Sequence, residues 1–336
     1  MRTVTTKLSD FFPTHHKIRE EDILPPYSPS RCPYCGGLDI VRKGKSKRTR
    51  KGDQQRYYCK HCHRRFIDSP ISGSHFPEWV IDEVLALTAG GLRPRGITEA
   101  IVRESTRTGH KVSMSTHTVR NLVKTCIKSP LEFELLTKRE EATREWVIDD
   151  AYQRFPLENR KRIVGWITNI FELGTVYWLV AHVSLRRDKD VTSEAFGLAV
   201  KRAKGAPLHV KSDGLRSNIL GIKELYPQVI IDSKTKKQDY GWINELEGLH
   251  NIMRGAGISR RGFRSLRNLQ ARLDLLRFHY NFLRPHSSLK GEGETPARVA
   301  GILYPQTSNW SEFIRFTHWY VDSQKEQVSG GRIDAN

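Results

Sequence analysis

The chain between residues 77 and 129 repeats apolar and polar positions with the period of amphipathic helices. Apolar side chains recur about every three or four residues, and Gly90 with Gly91 interrupts the first run. We predict three short helices, of which the second covers about residues 96–105 and the third is capped by Ser115 or Thr116. The predicted outward face of the third helix is polar and carries Thr116, His117, Arg120, Asn121 and Lys124.

A different pattern begins near residue 144, where β-branched and aromatic residues dominate. Three runs, at 145–152, 162–168 and 175–183, predict a three-stranded meander. Helical and strand-like segments then alternate. Short strands are predicted at 208–212 and 228–232, and a long helix is predicted over about 240–254. These segments together predict an α/β region.

Three acidic residues lie on elements of this region. Asp149 is in or at the end of the first strand, and Asp213 precedes Gly214 at the end of the fourth. Glu247 lies on the long helix, 34 positions after Asp213. Three carboxylates brought together can hold two divalent cations, which is what phosphodiester chemistry requires.

The long helix separates a polar face from an apolar one at about 100° per residue. The polar face carries Asn244, Glu247, His250, Asn251 and Arg254, and the apolar face carries Leu246, Leu249 and Met253. Glu245 is the rival of Glu247 as the third acid, but it points about 160° away from it.

Four of the five cysteines form two Cys-x-x-Cys pairs with 23 residues between them. The pairs are Cys32 with Cys35 and Cys59 with Cys62. Two such pairs complete a closed tetrahedral shell of four thiolates, so we predict one structural Zn²⁺. Disulfides and the replacement of one cysteine by His61 or His63 are the alternatives. The fifth cysteine, Cys126, is predicted to be a core residue.

The segment between the two cysteine pairs is strongly basic at its tip. Seven of the ten residues at 42–51 are cationic, among them Lys45, Lys47 and Arg48. On a zinc-held hairpin this tip is suited to phosphate contacts, and a solvated loop is the alternative. The whole chain has a formal net charge of +19, which favours a polyanionic partner such as DNA.

The sequence contains no run of 18 apolar residues, so we predict neither a membrane span nor a membrane partner. The first 17 residues lack the apolar core of a signal peptide. We therefore expect a cytoplasmic, nucleoid-associated protein with reduced thiols.

These motifs together resemble the DDE transposases of bacterial and archaeal insertion sequences, in the branch with an integrase-like, ribonuclease H-like core. The resemblance is carried by the Asn-x-x-Glu-x-x-His run at 244–250 and by RGF at 261–263, YNFLRPH at 280–286 and TPARVAG at 295–301. It covers about residues 144–302. A zinc ribbon followed by a helix-turn-helix domain occurs in some members of that family only.

The resemblance implies that Asp149, Asp213 and Glu247 are catalytic acids that bind two Mg²⁺ or Mn²⁺ ions per active site. Related chains often have Glu-Thr where this chain has Asp150-Ala151, which leaves Asp150 as the alternative first ligand. Auxiliary or DNA-binding roles are predicted for His250, Arg254, Arg261, Arg284, His286, Arg120, Asn121, Lys124, Lys45, Lys47 and Arg48. For His250, Arg254, Arg284 and His286, the alternative is that they satisfy local carboxylates.

The predicted organisation is multidomain, and its α/β core is expected to be ribonuclease H-like with a mixed five-stranded sheet. The predicted parts are a flexible segment (1–28), a zinc ribbon (29–70), an all-α helix-turn-helix domain (75–130), the catalytic domain (143–304) and a C-terminal extension (305–336). The tail from Gln324 is predicted to be disordered because it is polar.

The function predicted from these features is DNA transposition. The protein would bind the terminal inverted repeats of an insertion sequence, cleave DNA and join the exposed strand to target DNA. Its partner is double-stranded DNA, both element ends and target, and pairing two ends predicts a homodimer or larger assembly. The alternatives are a catalytically inactive DNA-binding regulator and an endonuclease without strand transfer.

Overall fold

The computed structural model of the chain describes residues 32, 39–46, 54–67, 76, 78–109, 112–139, 144–156, 162–233, 241–258, 263, 265–287, 289 and 294–330. Within these stretches, the side chains of residues 45–46, 54–55, 67, 154–156, 162–163, 241–247 and 326–330 are outside the description. Of the predicted site residues, Cys35, Lys47, Arg48 and Arg261 lie outside the described residues, and Lys45 and Glu247 are described in their backbone only.

The N-terminal part is a small antiparallel sheet. Its three strands pair in chain order and are β1 (Ile40–Ser46), β2 (Gln54–Cys59) and β3 (Arg65–Ile67). Tyr57 and Phe66 stack across β2 and β3 with ring centroids 5.5 Å apart. These two rings and the buried Cys32 and Cys59 form the core of this sheet.

Four helices follow, and the first three are those that the periodicity predicts. They are α1 (Glu78–Ala89), α2 (Pro94–Arg107), α3 (Thr116–Cys126) and α4 (Lys128–Leu136). The second begins at Pro94, two residues before the predicted start, because proline is pre-organised for the first helical turn. Ser115 caps α3, and its Oγ accepts a hydrogen bond from the Thr118 amide at 3.1 Å.

The α/β region contains a mixed five-stranded sheet, as predicted. Its strands are β4 (Glu145–Pro156), β5 (Arg162–Glu172), β6 (Trp178–Ser184), β7 (His209–Ser212) and β8 (Ile230–Ser233). The spatial order is β6-β5-β4-β7-β8. The first three strands form the predicted antiparallel meander; β7 pairs in parallel with β4, and β8 pairs in parallel with β7. The helices of this region are α5 (Lys189–Ala203), α6 (Arg216–Leu225), α7 (Gly241–Gly255) and α8 (Leu266–Phe278).

Helices cover both faces of this sheet, so the central strand β4 is buried on both sides. Trp146 and Ile148 pack in one apolar cluster with Phe196 of α5. Val147 packs in a second cluster with Leu249 of α7 and residues of α8. Because successive residues of a strand point to opposite sides, Asp149 continues the α7 face and Asp150 continues the α5 face.

The edge strand β6 is covered by side-chain amides rather than by another strand. Gln270 of α8 accepts from the Val183 amide at 3.0 Å and donates to the Ala181 carbonyl at 2.8 Å. Asn281 pairs in the same way with both backbone groups of Trp178 at 2.9 Å. Asn281 lies in a π-helical turn, His279–Leu283, which directly follows α8.

The C-terminal part contains more helix than the sequence predicts. After a short helix, α9 (Pro296–Val299), the helix α10 spans Trp310–Gly330, so the tail expected to be disordered from Gln324 is helical to Gly330. Phe316 and Tyr320 of α10 pack edge-on against Phe133 of α4, with centroids 5.4 and 5.0 Å away. This apolar contact stabilises the helix in spite of its polar end. None of the helices in the described part of the chain is both long and apolar enough to cross a membrane.

Candidate functional site

Asp149 lies on β4, and Asp213 directly follows the end of the neighbouring parallel strand β7. The register of the two strands pairs Ile148 with Ser212, so an aspartate comes next after each residue of this pair. Adjacent strands are separated by about 4.8 Å, which places the two aspartates near the same end of the sheet. The strand β7 ends at Ser212, and Gly214 turns the chain with a φ of +82°. The Leu215 amide then donates to Asp213 Oδ1 at 3.0 Å and orients the carboxylate.

The helix α7 brings a histidine to the same place. Nε2 of His250 lies 3.2 Å from Oδ2 of Asp149 and has no hydrogen-bond partner among the described residues. Leu249 and Met253 hold the helix against the sheet through the apolar cluster that contains Val147. The position of α7 is therefore set by burial of its apolar face, as the helical arithmetic predicts.

Glu247 precedes His250 by three residues on α7. Residues three apart lie on the same side of a helix, so the backbone of α7 presents position 247 to the side that faces Asp149. The Glu247 side chain is outside the described part of the structure.

Asp150 occupies a different environment from Asp149. Its side chain is 1% exposed, compared with 19% for Asp149. Thr168 Oγ1 donates to it at 2.7 Å, Arg187 Nε at 3.1 Å and Asn218 Nδ2 at 3.5 Å. Burial raises the pKa of Asp150, and the hydrogen bonds from Thr168 and Arg187 oppose that rise. Protein donors thus engage both oxygens of this carboxylate.

The Arg187 side chain lies between two acidic residues, Asp150 and Asp213. Its guanidinium lies over the Trp166 ring, 4.4 Å from the centroid. While Nε binds Asp150, Nη2 lies 3.8 Å from Oδ2 of Asp213. The sequence does not predict the contacts of Arg187, Thr168 and Asn218 with Asp150, because these residues lie on separate elements and no short motif links them.

The other basic residues predicted near the acids do not converge on them. Arg254 and Arg284 are exposed, and no described contact joins either to Asp149 or Asp213. His286 packs edge-on against Tyr280 at 4.3 Å between ring centroids. Burial and the charge of Arg284 lower the pKa of His286 to about 4, so its ring is neutral at pH 7. Its geometry fits a role in the turn after α8 rather than a contact with the carboxylates.

The polar face of α3 is divided between free solvent and a cavity that is open to solvent. His117 and Asn121 are exposed and hydrogen-bond each other at 2.9 Å. Thr116, Arg120 and Lys124 line a cavity of about 420 Å³ between α3 and α8.

Three of the four predicted zinc ligands lie together. The sulfur atoms of Cys32, Cys59 and Cys62 are within 4.8 Å of one another, and Cys32 and Cys62 are 3.5 Å apart. Sulfur atoms around a tetrahedral Zn²⁺ are about 3.8 Å apart when each Zn–S bond is about 2.3 Å. The spacing therefore fits a thiolate metal site, to which Cys35 is the predicted fourth ligand.

The structure also describes His63, one of the alternative zinc ligands, and the fifth cysteine, Cys126. His63 Nδ1 is hydrogen-bonded to the Tyr58 hydroxyl at 2.8 Å, which occupies that ring nitrogen. Cys126 is buried in the helical core, as predicted, and burial raises the pKa of its thiol.

No protein-family model and no curated protein matches this sequence. The structural neighbours include retroviral integrase catalytic cores. The HTLV-2 integrase catalytic core domain, in complex with magnesium and in dimeric form, is 13% identical, with 48% of this chain and 99% of that chain covered and a TM-score of 0.33. A simian T-cell lymphotropic virus intasome in complex with the PP2A regulatory subunit B56 gamma is 11% identical. The match covers 65% of this chain and 72% of that chain, and its TM-score is 0.32. The BIV integrase catalytic core domain is 13% identical. The match covers 47% of this chain and 93% of that chain, and its TM-score is 0.27.

At these identities and TM-scores the likeness carries no argument about activity. The mixed five-stranded sheet and the helices on its two faces are properties of this chain itself. Any functional conclusion depends on the residues that this chain itself brings together.

Proposed function

We propose that the chain is a DDE-type DNA transposase that cleaves DNA at the ends of a mobile element and joins the exposed strands to target DNA. The observation that supports the proposal is that Asp149 and Asp213 each follow the last paired position of the parallel strands β4 and β7, with His250 of α7 in contact with Asp149. Glu247 lies three residues before His250 on that helix. Two carboxylates at one end of the sheet, with a third on a helix that reaches the same place, would offer hard oxygen ligands that suit Mg²⁺ or Mn²⁺.

Each residue of this site has a distinct role in the proposal. Asp149, Asp213 and Glu247 would hold two divalent ions, whose chemistry would be to activate the attacking water or 3′-hydroxyl and to stabilise the leaving oxygen. His250, whose Nε2 has no hydrogen-bond partner in the described part of the structure, donates to a phosphate oxygen of DNA. Asp150 and Arg187 position the strand ends, because Arg187 contacts both Asp150 and Asp213.

A strand-transfer assay tests this activity. Pre-cut duplexes with free 3′-hydroxyls, made from the DNA that flanks the coding sequence, are mixed with the protein, Mg²⁺ and a supercoiled plasmid. We expect the oligonucleotide to become covalently joined to the plasmid. Hydrolysis without joining would identify an endonuclease, and DNA binding without either reaction would identify an inactive regulator.

The N-terminal parts fit a role in binding the element ends. We propose that the three-stranded sheet is a zinc ribbon and that α1–α3 form a helix-turn-helix unit, with His117 and Asn121 on its exposed face. The charge of +19 favours a DNA partner, and synapsis of two ends requires a homodimer or larger assembly. A nucleoid location follows from DNA binding.

One bound zinc per chain is expected. Elemental analysis of purified protein should find about one equivalent of Zn²⁺, because four thiolates form a closed tetrahedral shell. Cys59→Ser should abolish zinc retention, since Cys59 is fully buried among the clustered sulfurs. Cys126→Ser is the matched control and should retain zinc. Protein without stoichiometric zinc in its native form would refute the ribbon.

A further inference from the structure

A cavity of about 420 Å³ lies where the helical segment meets the α/β region, bounded by α2, α3 and α8. Five cationic residues line it: Arg93, Arg95, Arg120, Lys124 and Arg272. No carboxylate is found among the described residues that line it. Like charges around one small space repel one another, so this composition indicates a site for an anion.

The walls of the cavity are held together by close backbone packing. Gly91, in the turn between α1 and α2, has a φ of +96°, and a Cβ at that position would lie 2.5 Å from the carbonyl oxygen of Gly255. Arg272 of α8 donates to the Leu92 carbonyl at 3.1 Å and to the Ala256 carbonyl at 3.0 Å. The helical segment therefore docks on the end of α7, and the cavity is pre-formed.

Some of the polar atoms that surround the cavity are buried without a hydrogen-bond partner among the described residues. Burial lowers the pKa of Arg272 to about 10, which shows that its charge is desolvated without a compensating acid. Its Nε and the Oδ1 of Asn268 are buried with no hydrogen-bond partner among the described residues. Arg95 is paired with Glu99 at 3.0 Å, whereas Arg93, Arg120 and Lys124 form no ion pair within the described part of the chain.

The start of α2 adds to the positive potential. Pro94 occupies the first turn, and the side chain of the N-cap residue Arg93 makes no capping hydrogen bond. Both residues line the cavity, so the positive end of the helix dipole faces it.

We propose that this cavity binds a phosphate of the DNA backbone, so that one DNA strand is held jointly by the helical segment and the α/β region. The inference rests on the proposed function, because it takes DNA as the partner. The volume of about 420 Å³ suits a group of about nucleotide size. Arg120 and Lys124 are therefore phosphate contacts, and base reading by α3 is confined to its solvent side at His117 and Asn121.

The salt dependence of DNA binding tests the proposal. Fluorescence anisotropy of a labelled duplex of arbitrary sequence is measured with the full chain over a range of salt concentrations. Arg93→Gln and Arg120→Gln should each reduce the slope of log affinity against log salt by about 1, since one phosphate contact is lost. Both side chains are exposed, so the variants should fold.

Arg103→Gln is the matched control. Arg103 is an exposed arginine of α2, about two and a half turns beyond Pro94, and it does not line the cavity. Its slope should equal that of the wild type. Equal slopes for all three variants would overturn the proposal, and so would a loss in Arg120→Gln restricted to element-end DNA, which would indicate base reading instead.

A second arm separates DNA from a small phosphate compound. Inorganic pyrophosphate and AMP are titrated into the full chain, and thermal stability is recorded. Saturable stabilisation by AMP that Arg93→Gln abolishes, together with an unchanged DNA slope, would identify a nucleotide site and overturn the proposal. Because DNA binding needs no cleavage, Asp149→Asn should keep the wild-type slope. Loss of catalysis and loss of the cavity contact are thus distinguishable.

Discussion

Asp149→Asn is expected to slow DNA cleavage and strand transfer by about a thousandfold. Asparagine keeps the shape of the side chain but removes the charge that attracts a divalent ion, and ligand charge accounts for several kcal/mol of transition-state stabilisation. DNA affinity should be unchanged or slightly higher, because a negative charge that faces the phosphates is removed. Rates of single-turnover cleavage and anisotropy with the same duplex measure the two quantities.

Two further variants serve as a control and as a test of the alternative first ligand. Asp190→Asn removes an exposed acid at the start of α5 and should cleave at the wild-type rate. Asp150→Asn should slow cleavage only about 10- to 100-fold, because Asp150 acts through Arg187 rather than on an ion. If Asp149→Asn cleaves normally while Asp150→Asn is inactive, the first ligand is Asp150 and the assignment is reversed.

The choice between these two aspartates shows what the sequence can and cannot predict. The run from Trp146 to Tyr152 indicates a strand, and alternation places adjacent residues on opposite faces. Helices cover both faces, so every position from 146 to 148 is apolar and the pattern does not reveal which face meets α7. That information lies in the pairing of β4 with β7 and in the packing of Leu249 against Val147, which are non-local contacts.

Local patterns did predict the elements themselves. The period of apolar residues predicted α1–α3 and α7, and the β-branched runs predicted the meander. The cysteine spacing predicted a cluster, of which Cys32, Cys59 and Cys62 are brought together in the described residues. In each case the signal spans a few residues and depends on backbone period or ligand chemistry.

The contacts between distant segments left no such signal. The C-terminal segment was expected to be an extension with a disordered tail, yet Phe316 of α10 packs on Phe133 of α4. Ser129 of α4 also donates to Thr317 of α10 at 2.8 Å. A polar composition near residue 324 describes the exposed face of that helix and says nothing of the buried one. In the same way, nothing in the sequence around Glu134 of α4 distinguishes this buried residue from a glutamate on the surface.

Glu134→Gln is expected to lower the free energy of unfolding by about 3–5 kcal/mol. Glu134 is 1% exposed and accepts hydrogen bonds from Arg277 Nη2 at 2.7 Å and from the Tyr177 hydroxyl at 2.6 Å. Arg202 Nε lies 3.0 Å from Oε2 of Glu134, the oxygen that also accepts from Arg277 Nη2. Burial alone would raise the pKa of Glu134, but the charges of Arg202 and Arg277 outweigh it and hold the pKa below its ordinary value. Glutamine would remove the carboxylate that pairs with both buried guanidiniums, and would leave them the more distant Asp274, 4.0 Å from Arg277 Nε.

Urea unfolding followed by tryptophan fluorescence measures this loss, and two of the seven tryptophans, Trp146 and Trp178, are fully buried in the sheet. Glu132→Gln, on the same helix, is the matched control. Its pair with Lys325 is about half exposed on both sides, so its loss should cost less than about 1 kcal/mol. Equal losses in the two variants would show that the buried cluster contributes no more than a surface pair. A larger loss in Glu134→Gln, reported by tryptophans of the sheet, would mean that α4 and the α/β region unfold together, because Arg202 and Arg277 belong to α5 and α8.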